Sequence, residues 1–150
     1  MKKLALLMCL AGLTTSLPAQ TKTLLNLDKN GVALKGYDPV AFVAQGKPVK
    51  GDAAIKSMHE GATYYFASAE DKALFEKDPA KYEPAFGGFC AFGVSHNKLV
   101  EIDPEAFQVT DGRLLLQYSK GVQADFNKDT KGNLTKATAN WPGLVEKKGK

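Results

Sequence analysis

The segment from Gly61 to Ala91, GATYYFASAEDKALFEKDPAKYEPAFGGFCA, constrains the fold more than any other part of the chain. Thr63 to Ala67 is aromatic and strand-forming. It pairs with Ser57 to His59 across a turn at Glu60-Gly61. Ser68 then opens a helix, with Asp71 three residues on in a capping-box arrangement. Leu74 and Phe75 are expected to face the core. Asp78-Pro79 starts a second short helical turn, the acid as cap and the proline at the first helical position. Phe86 to Val94 reads as a strand, with Gly87-Gly88 allowing another backbone to approach closely. Strand alternation would put Cys90, Phe92 and Val94 on one face.

The same reasoning extends in both directions. Asp28-Lys29-Asn30-Gly31 lies between apolar runs at Leu24–Leu27 and Val32–Leu34, which is a hairpin signal because Asn and Gly tolerate positive φ. Gly36-Tyr37-Asp38-Pro39 is a turn, and Val40 to Val43 begins a strand or a short helix. Asp103-Pro104 repeats the cap-and-proline device ahead of Phe107. Gln108-Val109 and Arg113–Tyr118 flank Asp111-Gly112 as another hairpin. Lys120 to Asn140 reads as helix in two pieces, broken near Lys131-Gly132 and ended by Trp141-Pro142, with the indole as a core plug. Hairpins mixed with segregated helices predict a single α+β domain of antiparallel hairpins packed with short helices.

The first twenty residues set the expected compartment. Lys2 and Lys3 precede an apolar run from Leu4 to Leu13, and Thr14 to Gln20 is small, polar and proline-containing. This is the layout of a signal peptide over residues 1–20, and the run is too short to span a bilayer. Ala19 suits a cleavage site, and Cys9 lies too early in the run for a lipid anchor. The expectation is export, with the bacterial periplasm as destination, and a mature domain at 21–150 ending in a helical extension. The formal charge of +4 then falls to about +2, which gives no argument for nucleic acid. Of two cysteines only Cys90 stays, so this exported domain relies on its core without an internal disulfide.

Gly36-Tyr37-Asp38-Pro39-Val40-Ala41-Phe42, Gly61–Ser68, Phe75–Tyr82 and Gly87-Gly88-Phe89-Cys90-Ala91 resemble the exported YHS-domain proteins. Asp111-Gly112-Arg113-Leu114 and Asn140-Trp141-Pro142 resemble the same group, and the order is kept over most of residues 21–150. That group is similar to TRASH-like metal-binding modules, found alone or attached to copper-transporting ATPases and some oxygenases. The resemblance implies heavy-metal handling. Metal-binding members often carry Cys just after the Asp-Pro-Val and Tyr-Tyr-Phe elements, where this chain has Ala41 and Ala67.

The residues left for chemistry are Cys90, His59 and His96. One thiolate and two imidazoles suit copper or zinc, with Met58 or a carboxylate as a further donor. They are therefore the candidate metal ligands, and no catalytic residue is assigned. Three functional readings follow. The first is a non-enzymatic module that binds a metal ion or a small ligand near Cys90, with His59 as helper. The second is a structural or protein-interaction domain in which Cys90 is only core. The third is a thiol enzyme with a Cys-His pair. Asp125-x-Asn127-x-Asp129 begins like a calcium loop, but Thr130 and Lys136 stand where Gly and a bidentate Glu are needed.

Overall fold

The computed structural model describes residues 19–150, so the signal-peptide expectation lies almost entirely outside the described residues. The fold is α+β, as expected. Two antiparallel hairpins, β1 (Asp52–His59) with β2 (Ala62–Phe66) and β3 (Asp103–Thr110) with β4 (Arg113–Gln117), pack with short helices. The helices are α1 (Ala69–Lys77), α2 (Pro79–Tyr82), α3 (Ala91–Ser95), α4 (Lys120–Asn127) and α5 (Thr130–Lys148). No described helix is long and apolar enough to cross a membrane.

Each hairpin follows from local chemistry. Glu60 and Gly61 both take positive φ, 49° and 88°, and so do Asp111 and Gly112, 51° and 72°. Consecutive left-handed residues match the twist of tight two-residue turns. In β2, Ala62, Tyr64 and Phe66 are buried in strict alternation, so one face carries the core contacts. In β4, Leu114, Leu115 and Leu116 are all buried. Leu114 and Leu116 join one apolar cluster with Phe42, Phe66 and Phe75, and Leu115 joins a second with Phe86, Phe126 and Leu144. β4 therefore separates the two halves of the core, and its unbroken apolar run is the mark of a strand covered on both faces.

Ser68 caps α1 as predicted, its hydroxyl accepting from the Asp71 backbone N–H at 3.1 Å. Asp28–Gly31 forms the expected turn, reduced to a single antiparallel bridge between Leu27 and Ala33. Residues 41–45 form one wide helical turn. Asp38 is wholly buried and works as a staple. One carboxylate oxygen accepts from the backbone N–H groups of Val40 and Ala41, and the other from that of Ala67, just past β2.

Five local expectations are corrected. Phe86 to Val94 is not a strand, because Phe86, Gly87 and Gly88 all take positive φ and the chain then enters α3. Its backbone pairs with β4 through isolated parallel bridges, Pro84 to Leu114 and Cys90 to Leu116, instead of a continuous ladder. Leu74 is 40 % exposed, because α1 turns Asp71 and Phe75, one turn apart, toward the core. Asp103-Pro104 starts β3 rather than a helix. The pairing slips between Asp103 and Phe107, and this interruption accommodates a proline that cannot donate to the ladder. The break between α4 and α5 falls at Lys128-Asp129, where Asp129 accepts from Gly132 N–H at 3.0 Å as the new cap. Finally, α5 runs through Pro142 to Lys148. Burial of Leu144 beyond the proline and paired backbone hydrogen bonds between Thr23 and Lys150 hold the last turns in place. Trp141 is half-buried, edge-on to Phe86 at 5.9 Å.

Candidate functional site

The structure distributes the three sequence-predicted residues over two places. His59 stands in one, and Cys90 and His96 share the other.

His59 is the last residue of β1, and the tight turn that follows sets Glu60 beside it. The Asp78-Pro79 turn and α2 bring the chain back so that Glu83, just past α2, arrives opposite. His59 Nε2 lies 3.3 Å from Glu83 Oε2 and 3.9 Å from Glu60 Oε2. One donor atom from each of the three residues falls within 4.8 Å of the others. The imidazole is half-buried and braced edge-on by Phe75 at 6.0 Å. Burial pushes the Glu83 carboxyl above the ordinary value, opposed by the nearby His59 and reinforced by the charge of Glu60. Tyr64 is buried beside them. Its phenol is pushed upward by burial and then by the charges of Glu83 and Glu60. Glu60, Tyr64 and Glu83 open onto a cavity of about 370 Å³ whose far side carries Phe86, Arg113 and Trp141.

Glu60 and Glu83 were not among the residues read from sequence. Glu60 carried a faint signal, adjacent to His59 in the hairpin turn. Glu83 carried none, since only the return of the chain through α2 brings it there.

Cys90 is buried, and its thiol donates to Gln117 Oε1 at 3.3 Å. The Phe92 backbone N–H donates to the same oxygen at 3.0 Å. These two donors fix which end of the amide faces them, so Gln117 Nε2 points elsewhere. That nitrogen is buried and has no hydrogen-bond partner among the described residues. Leaving a buried donor unmet costs about 1–3 kcal/mol. His96 follows α3 and is exposed, and its ring stands edge-on to Phe92 at 4.5 Å. Its Nδ1 lies 2.9 Å from the Phe92 carbonyl oxygen and 3.1 Å from Ser95 Oγ. Cys90 and His96 both line a cavity of about 250 Å³ with Phe92, Lys98, Val100 and Tyr118.

The YHS domain family model matches residues 40–85. The match spans the wide turn at 41–45, the β1–β2 hairpin, α1 and α2, and so contains His59, Glu60, Tyr64 and Glu83. Cys90, His96 and the second hairpin lie beyond it, although Cys90, Leu114 and Leu116 share a core cluster with Phe66 and Phe75. No curated protein and no solved structure matches the chain.

Proposed function

We propose that this protein is a non-catalytic module that binds one borderline divalent cation, zinc or copper(II), through His59, Glu60 and Glu83. The observation that carries this reading is the convergence of the three donors. Two ligands at about 2.0–2.2 Å from a tetrahedral zinc ion stand about 3.4 Å apart. The His59–Glu83 separation of 3.3 Å already meets that spacing, and Glu60, at 3.9 Å from His59, needs only a small side-chain adjustment. One imidazole and two carboxylates form a nitrogen–oxygen set, suited to zinc or copper(II) rather than to copper(I), which prefers soft sulfur. Three protein ligands leave one position of a tetrahedral ion open. The YHS match over this segment supports the reading, as a family linked to metal binding. The Cys90 thiol is engaged with Gln117, and His96 is the one other candidate ligand lining its cavity among the described residues. The metal-binding role is therefore assigned to the His59 cluster instead of to a set built on Cys90 and His96.

Zinc titration against a competing chromophoric chelator tests this. Wild-type protein and Cys90→Ala are expected to take up one equivalent with the same affinity. His59→Ala and Glu83→Gln are expected to lose at least about tenfold, the scale of one lost ligand. If Cys90→Ala loses the metal while His59→Ala keeps it, the ligands are those of the other cavity. If wild type takes up no more zinc or copper(II) than the His59→Ala/Glu83→Gln double variant, the protein is a structural or interaction domain.

A further inference from the structure

The cavity at Cys90 is independent of the proposed cation site and lies outside the segment that the family model matches. Its walls are held firmly. Gln117 fixes both Cys90 and Phe92 through one oxygen, and Cys90 N–H donates to the Val100 carbonyl at 3.0 Å. Gly93 makes the opposite wall: a Cβ there would stand 2.8 Å from Val100 Cγ2, so only glycine lets the 98–100 segment close in. The surface between these walls is apolar, from Phe92, Val100, Val122 and the Tyr118 ring, which is 56 % exposed at the mouth.

The polar groups around this apolar surface are biased in one direction. Among the described residues no carboxylate lines the cavity, and Lys98 and His96, both exposed, do. Lys98 forms no ion pair among the described residues. The Lys98 ammonium calls for an acidic partner, and a cation would be repelled. A cavity of about 250 Å³ is slightly smaller than the roughly 300–1,000 Å³ that holds drug-sized ligands. We propose that this cavity binds a small organic acid with a compact apolar body, the body against Phe92, Val100, Tyr118 and Val122 and the carboxylate at Lys98.

The test uses the ¹⁵N-labelled protein titrated with sodium octanoate and sodium phenylacetate, with 1-octanol and octylammonium as matched controls. Saturable shifts of the Gly93, Lys98, Val100, Tyr118 and Val122 amides are expected with at least one of the acids. Octanol should bind more weakly than octanoate, and octylammonium should not bind. Lys98→Glu, an exposed change that leaves the walls intact, should weaken the acid by roughly fivefold to tenfold. Val122→Phe, which fills the apolar part, should weaken octanoate and octanol alike. His59→Ala should bind the acid normally, which separates this site from the metal site. The proposal fails if neither acid saturates below about 20 mM. It also fails if Lys98→Glu changes nothing, if octylammonium binds as well as octanoate, or if the shifts cluster instead around Trp141 in the other cavity.

Discussion

Gln117 shows how one side chain can hold a site and leave a debt in the core. Its Oε1 satisfies the Cys90 thiol and the Phe92 N–H, and its Nε2 satisfies nothing among the described residues. Cys90→Ala removes a small buried group and one weak hydrogen bond, and is expected to cost about 1–2 kcal/mol. Gln117→Leu removes the orphan donor but leaves the Phe92 N–H without an acceptor, and is expected to cost more, about 2–3 kcal/mol. Urea denaturation of both variants checks the order; a milder Gln117→Leu would mean that this amide does not anchor α3. At the same scale, a thiol 1 % exposed should resist iodoacetamide in the native protein and react once unfolded. The cysteine was visible in the sequence, but its partner was not, because a glutamine in a strand gives no sign of which neighbour it will meet.

Among the elements, the segment 85–91 departs furthest from its sequence pattern. Aromatic residues around paired glycines read as a strand, yet three consecutive left-handed residues turn the chain into α3. Phe86 accepts a φ of 54°, a strained conformation for a bulky residue, and its ring is held by Trp141 and by the Arg113 guanidinium at 4.8 Å. Gly87 lies against the extended segment that carries Leu24 and Asn26. Its carbonyl accepts from Asn26 N–H at 2.8 Å, and a Cβ on Gly87 would run into the Leu24 carbonyl. Gly46 has similar positive φ, but nothing stands within 4 Å of its would-be Cβ. Gly87→Ala is therefore expected to cost at least about 2 kcal/mol, against about 1 kcal/mol for Gly46→Ala. Hydrogen exchange gives the sharper check: the Asn26 amide should lose protection only in Gly87→Ala. In contrast, the Ser68 cap and both tight turns were legible, since each rests on residues within four positions of one another.

For the whole molecule, the buried acids set a pH dependence. Asp71 is 7 % exposed and neighbours the wholly buried Asp38 carboxylate. Burial first, then hydrogen bonding and charge from Asp38, move its carboxyl from 3.8 up to about 6. Between these values the folded chain holds a proton that the unfolded chain has released. Stability therefore falls as pH rises through this window, and the full loss is present above about pH 6. Asp71→Asn keeps a hydrogen-bonding side chain without the charge. Its melting temperature relative to wild type is expected to climb from about pH 4 to pH 6 and then level off, a gain on the order of 1–3 kcal/mol. Thermal melts across that range check it, and a flat difference would show that folding does not raise the Asp71 carboxyl.

What the sequence determined by itself was the α+β class, the two principal hairpins, the α1 cap and the core position of Phe75. These depend on alternation, turn chemistry and caps, which act between residues close along the chain. The tertiary structure alone decided which side chains meet. It moved His59 away from the cysteine and toward Glu60 and Glu83, paired Cys90 with Gln117, and set Asp71 against Asp38. The physical reason is that side-chain convergence comes from chain reversals summed over tens of residues. A single left-handed turn, such as that at Phe86–Gly88, redirects everything after it.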